Sequence, residues 1–361
     1  MTSGDGLLPG QSLRGRGAAS NAAGRFEAQD REALDDGWDL PEEPRVVRTE
    51  VRHEVARSAM SWNNSPDLGF DRSVNPYRGC EHGCIYCYAR PTHAYLNLSP
   101  GLDFETRLIA RPGIGRVLAR EMSKPGYQPK VMVLGSNTDP YQPVEAVERV
   151  TREVVEVLRD FRHPLGITTR GTLVERDLDL LAPMAAEGLA RVGISVTTLD
   201  AGLARRMEPR APAPARRLMM IRRLAGAGVP VRVMVSPVIP GLTDHEVEAI
   251  LEAARDAGAV AASSIMLRLP LEVAGLWKDW IAAQVPDRAA KIMGRVRELH
   301  GGRDYDPAFG TRFRGQGIWA DLMRKRFEIA CARLGLARAL PPMRTDLFRV
   351  PPKAGDQLSL F

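Results

Sequence analysis

Asn75-Pro76-Tyr77-Arg78-Gly79-Cys80-Glu81-His82-Gly83-Cys84-Ile85-Tyr86-Cys87-Tyr88 is the stretch that decides how this 361-residue chain is read. Its cysteines are spaced C-x3-C-x2-C, short enough for one loop to wrap a single inorganic centre. Three thiolates can hold three irons of a [4Fe-4S] cube and leave the fourth iron open for a ligand. A structural zinc wants four protein ligands, and the remaining cysteine, Cys331, is distant in sequence. His82 or His93 can supply a fourth ligand, so a zinc knuckle stands as the alternative. Four cysteines in a chain of this length exclude a disulfide scaffold.

Outward from the loop, short apolar or β-branched runs alternate with amphipathic segments. Strands are expected at 73–75, 131–135, 165–169, 191–197, 231–236 and 261–267. Helices are expected at 143–161, 175–187, 214–227 and 244–256, the last with Thr243 as N-cap. Such alternation means an α/β fold with a parallel sheet, and six units suggest a partial (βα)6 barrel. Polar residues gather just after the strands, where parallel folds build their sites: 135–142, 168–171, 195–198 and 236–237.

The composition is globular, 44% hydrophobic and 26% charged, with no apolar run long enough for a membrane span and no signal-peptide segment. A cytoplasmic protein without a membrane partner is expected. The net charge of +6 is uneven: residues 1–50 carry −4 and the rest +10, almost all of it arginine. That balance favours a polyanionic partner. Four regions are expected: a mobile arm (1–54), a core barrel (55–270), a helical extension (271–340) and a Pro-rich tail (341–361).

The cysteine spacing, with Tyr86 in the aromatic place before the third cysteine, resembles the radical S-adenosylmethionine (radical SAM) superfamily. That resemblance implies a partial (βα)6 barrel over about residues 70–270, with Cys80, Cys84 and Cys87 as ligands of a [4Fe-4S] cluster. It implies S-adenosyl-L-methionine on the open iron, a reducing partner such as flavodoxin or ferredoxin, and reductive cleavage to a 5′-deoxyadenosyl radical. The Tyr86 backbone would lie near the adenine, and Ser136, at the second-strand exit, would contact the methionyl group. The run around the cysteines is further similar to the spore photoproduct lyase-like branch, and 138–143 and 208–212 look like a bacterial subgroup of it. By position, the lyase's cofactor-binding lysine and serine fall on Arg170 and Ser195. The lyase's hydrogen-donor cysteine falls on Gly135, which puts dimer reversal by the same hydrogen return in doubt.

Other residues carry two readings each. Cys331 is a hydrogen donor or, more simply, a small core residue. Asp139, Tyr141 and Gln142 touch ligand at the rim or form an Asp-Pro turn. Glu208 and Arg210 grip a ligand or make a surface ion pair. The arginines at 205, 206, 210, 216, 217, 222 and 223 track a nucleic-acid backbone or are a solvated face. Trp277, Trp280 and Trp319 stack on bases or close a core.

The chain given ends in Gln357-Leu358-Ser359-Leu360-Phe361. This resembles the clamp-binding peptides of bacterial DNA polymerases and repair proteins, with Gln357, Leu358, Leu360 and Phe361 as anchors. The favoured function is radical chemistry on a DNA base or lesion, with a sliding clamp as partner. The alternatives are the same chemistry on a protein, tRNA or metabolite, and a metal-stabilised adaptor without activity.

Overall fold

The computed structural model describes residues 15–26 and 47–352. Among the described residues ten strands are present: β1 (Glu50–His53), β2 (Met60–Trp62), β3 (Arg72–Val74), β4 (Tyr77–Arg78), β5 (Arg107–Ala110), β6 (Met132–Leu134), β7 (Leu165–Thr169), β8 (Ala190–Ser195), β9 (Val231–Val238) and β10 (Ala261–Met266). Each of the six expected strands appears, shifted by no more than two residues at an end. They form one sheet in the order β10-β9-β8-β7-β6-β3-β2. All neighbours in it are parallel except the β2 edge, antiparallel to β3. Successive strands step in one direction and the end strands do not pair, so the sheet curls into an open barrel. β1, β5 and β4 form a small second sheet.

Alternation along the strands sorts the side chains. Val231, Val233 and Val235 of β9 are buried with Met220, Ile221 and Leu224 of the helix Pro214–Gly226. The intervening Arg232, Met234 and Ser236 face the barrel interior and are half-buried. Each buried Val or Leu contributes about 1.5–3 kcal/mol, so the outer face holds the fold and leaves the inner face free for function.

The helices differ from expectation at their ends. The run 143–161 is split into Glu145–Glu148 and Val150–Asp160 by Arg149 at φ +54°. The buried Glu145 carboxylate causes the break: it turns back to accept from Thr151 N–H (2.9 Å) and Arg152 N–H (3.3 Å), capping the second piece. The run 175–187 begins as a 3-10 turn, Thr172–Asp177, before the helix Leu178–Ala186. Thr243 does not cap its helix. Its Oγ1 accepts from Ile239 N–H at 3.0 Å, and a 3-10 turn, Asp244–Glu246, intervenes before Val247–Asp256.

Two segments expected to be mobile or extended are docked. In the N-terminal arm, Arg16 and Ala18 are buried, and Gly17 and Ala18 N–H groups both donate to Glu105 at 2.9 Å. In the tail, Phe348 packs against Tyr127, Phe161 and His163. Charge content and proline count concealed these few apolar and glycine contacts. After β10 come the helices Val273–Gln284, Pro286–Leu299 and Ile318–Leu334, the expected extension. Trp277 and Trp280 stack on one another within its core, and Cys331 is buried among apolar side chains, so the core readings hold for all three. Among the described residues no helix is long and apolar enough to cross a membrane.

His163, under Phe348, is buried, with Tyr127 Oη at 2.9 Å and Pro164 O at 3.1 Å of its two ring nitrogens. Burial is the main force that pushes its pKa down to about 4. The unfolded chain therefore takes up a proton near pH 6.5 that the folded chain refuses until about pH 4. Stability should fall across that window by up to about 3 kcal/mol. His163→Gln should flatten this part of a pH series of urea denaturations; an unchanged slope would contradict the assignment.

Candidate active site

The cysteine loop leaves β4 and is fixed by the protein before any metal is considered. Gly79 has φ +79°, and a Cβ there would meet Leu108, Phe104 O and His93 at 2.7–2.9 Å, so only glycine permits the turn. Gln142 is buried and clamps the loop from behind: its Nε2 donates to Gly79 O (3.0 Å) and its Oε1 accepts Glu81 N–H (2.9 Å). Arg90, fully buried, donates to Cys84 O (2.9 Å) and pairs with Glu105 at 2.5 Å. Tyr141 is buried too, with its hydroxyl on Asp177 at 3.1 Å. Gln142 thus supports the loop from inside, and Tyr141 is an internal residue on Asp177; neither stands at the rim.

Cys80, Cys84 and Cys87 are free thiols lining one cavity of about 170 Å³. Its walls come from strand exits: Gly135 and Asn137 to Asp139 after β6, Thr168 to Arg170 at β7, Ser195 at β8, Ser236 on β9 and Met266 on β10. Ser195 and Arg170 therefore reach the cavity with the cysteines. Ser136 does not line it; its hydroxyl lies 3.3 Å from Asn75 Oδ1, while its carbonyl accepts from Tyr88 Oη at 2.6 Å.

Arg170 sets a cation against one of the three clustered cysteines. Its Nη1 lies 3.1 Å from Cys84 Sγ and 2.7 Å from both Tyr86 Oη and Glu208 Oε1. Glu208 is buried and also bonds Arg217, Tyr86 Oη and Thr197 Oγ1. Burial pushes its pKa up, yet the Arg217 and Arg170 guanidinium groups outweigh this and hold it at about 2. Neither the surface ion pair nor the ligand grip describes it. Glu208 is an internal strut that aims Arg170 at the cysteines. Asp139 holds the other side of Arg170, accepting from its backbone N–H (2.9 Å) and from Thr169 Oγ1 (2.6 Å). Burial raises its pKa, but His82 and these hydrogen bonds keep it near 2. The turn reading is met as well, since Asp139 Oδ1 accepts Tyr141 N–H at 2.9 Å.

Sequence reasoning named Glu208 and Arg217, and Thr197 within the β8 exit, but missed that the three join in one internal network. A signal existed for Arg217: with Met220, Ile221 and Leu224 it forms an i, i+3, i+4, i+7 stripe, the buried face of its helix. Its neighbours disperse. Arg216 and Arg223 pair with Glu175, Arg210 with Glu81, and Arg205, Arg206 and Arg222 are exposed.

The donor set fits an iron-sulfur cluster. His93 Nε2 is 3.0 Å from Arg107 O, and His82 Nδ1 is within ion-pair distance of Asp139 Oδ2 at 3.3 Å, while neither Nδ1 makes a hydrogen bond among the described residues. Among the described residues no three His, Cys, Asp or Glu side chains converge to hold a single metal ion. Three thiols around a cavity with an open side match a cube bridging them.

The family model of the radical SAM superfamily matches residues 74–254, and the chain belongs to that superfamily. It is a radical SAM enzyme, and the family's cofactors are a [4Fe-4S] cluster and S-adenosylmethionine. An uncharacterised protein of Mycobacterium tuberculosis is 35% identical over 309 residues, 84% of this chain and 87% of that one. An uncharacterised protein of Methanocaldococcus jannaschii is 27% identical over 48% of this chain and 62% of its own length. Among solved structures, a spore photoproduct lyase variant superposes with TM-score 0.56 at 15% identity, covering 85% of this chain and 89% of that one. Another, holding AdoMet and a dinucleoside spore photoproduct, gives 0.55 at 14% identity over 80% and 81%. The fold is that of the lyase.

Proposed function

We propose that the chain is a cytoplasmic radical SAM enzyme acting on a DNA base or lesion, brought to DNA by a sliding clamp through its C-terminal peptide. The observation that carries the reading is the match of fold, over four-fifths of the chain, to a lyase whose structure holds AdoMet together with a dinucleoside lesion. The peptide Gln357 to Phe361 lies outside the described residues and supports the clamp on sequence grounds alone.

Cys80, Cys84 and Cys87 hold the cluster, which when bound with S-adenosylmethionine supplies one-electron cleavage of the sulfonium to a 5′-deoxyadenosyl radical. The electron comes from a reducing partner such as flavodoxin or ferredoxin. Arg170 places a positive charge beside Cys84, where it would meet a carboxylate of the cofactor, and Ser195 offers a hydroxyl from the adjacent strand exit. The Tyr86 backbone would border the adenine. Ser136, the expected methionyl contact, stands at the β6 exit with its hydroxyl toward Asn75 and its carbonyl taken by Tyr88 Oη, so it would have to turn to reach the cofactor.

Hydrogen return differs from the lyase's. Gly135 has φ +88°, and a Cβ there would lie 2.0 Å from Thr168 O, so no cysteine fits without moving β7. Any return of hydrogen to the base must therefore use a donor at another position.

The test uses anaerobically reconstituted protein with S-adenosylmethionine, reductant and, in parallel, undamaged DNA, ultraviolet-irradiated DNA or tRNA. DNA should stimulate 5′-deoxyadenosine release, and the clamp should retain the full chain but not its Gln357→Ala or Phe361→Ala variants. Stimulation by tRNA alone, with no clamp binding, would overturn the DNA assignment.

A further inference from the structure

The inner faces of β8 and β9 carry two arginines that the site above does not use. Gly193 stands opposite Arg232 in the register, so Arg191 is the next inward residue on the adjacent strand. Both lie at the starts of their strands, the end of the barrel away from the cysteine loop. Burial pushes both pKa values down, and the Arg191 charge pushes Arg232 further. Among the described residues no carboxylate pairs with either, and Arg232 Nε is buried without a partner. Asp71, on the wall of the adjoining cavity, is already taken by Arg72 and Lys130, both at 2.8 Å. Both side chains are half-buried, and two like charges held together partly out of water are costly unless an anion compensates them.

The surroundings suit such an anion. Arg191 lines a cavity of about 820 Å³ with Asn63, Asn64 and Lys130, open at the floor of the barrel. Ser263, opposite the inward Met234, has a buried hydroxyl without a partner. A guanidinium fork matches tetrahedral oxyanions with two parallel hydrogen bonds. A doubly charged group neutralises both arginines, whereas a monocarboxylate leaves one uncompensated.

We propose that the barrel floor is a binding site for a phosphate group, gripped by Arg191 and Arg232, with the large cavity receiving whatever the phosphate is attached to. The site stands whether or not DNA is the substrate at the other end.

The experiment is a calorimetric titration of the reconstituted holoenzyme with inorganic phosphate, and in a second arm with adenosine 5′-monophosphate, in dilute chloride buffer. Saturable binding of one phosphate per chain is expected, about tenfold weaker or worse in Arg191→Gln and in Arg232→Gln. Arg205→Gln, on the exposed surface, should bind as the wild type does. Phosphate should raise the melting temperature of the wild type and of neither variant. Arg232→Lys keeps the charge and loses the fork, and it should show the same weakening if the glutamine variant fails to fold. Tighter binding of the nucleotide assigns an organic phosphate, and equal binding assigns the inorganic ion. Absence of saturable binding to the wild type, or equal affinity in the variants, would overturn the proposal.

Discussion

Replacing Cys80, Cys84 or Cys87 by alanine is expected to leave reconstituted protein with little of its roughly four irons per chain and no measurable 5′-deoxyadenosine release. In the proposed assignment each thiol is one of three protein ligands, and the other candidate donors lie against other groups. His82 lies 3.3 Å from Asp139, His93 Nε2 is 3.0 Å from Arg107 O, and Cys331 is buried in another core. The loop itself should survive the substitutions, because Gln142, Arg90 and Glu105 hold its backbone through bonds that use no thiol. Circular dichroism should therefore stay close to wild type while iron and activity vanish together. Burial pushes the Cys84 thiol up to about 12, so loading the metal must expel protons. Cys331→Ala is the internal control and should keep its full iron. Loss of iron in that variant, or a zinc protein active after iron removal, would refute the ligand assignment.

The strands and the cysteine loop were legible because their signals are local. Runs such as Val231 to Val235 alternate with a period of two, and C-x3-C-x2-C is a spacing along one loop. Legibility ended where partners lie far apart in sequence. Glu208 reads as one acid in an arginine-rich stretch, yet its partners Tyr86 and Arg170 stand 122 and 38 residues away. Arg16 and Gly17 belong to a segment of low apolar content, and their docking depends on the distant partners Glu105, Val47 and Thr49. Helix ends failed for a related reason. The break at Arg149 is imposed by Glu145 folding back, and the residue type of Arg149 carries no trace of it.

Glu208→Gln is expected to destabilise the protein by about 3–5 kcal/mol. The side chain is fully buried, with Arg170 at 2.7 Å and the equally buried Arg217 in contact. Glutamine keeps the shape and removes the charge, leaving two guanidinium groups in the interior with no counter-ion. The carboxylate's pKa is held at about 2 against an ordinary 4.5. Its stabilising contribution is thus present above about pH 4.5 and lost as pH falls through about 2, a dependence the variant should lack. Stability is one readout and positioning is the other. Released from Glu208, Arg170 no longer holds its place beside Cys84 Sγ, so affinity for S-adenosylmethionine should drop while iron content is retained. Glu208→Gln combined with Arg217→Met removes one of the stranded cations and should recover part of the stability without recovering the affinity. Urea denaturation and equilibrium cofactor binding, measured on the same preparations, separate the two effects. A variant within about 1 kcal/mol of wild type, far below the cost of breaking a buried pair, and with unchanged cofactor affinity, would show that Arg170 is aimed by something other than Glu208.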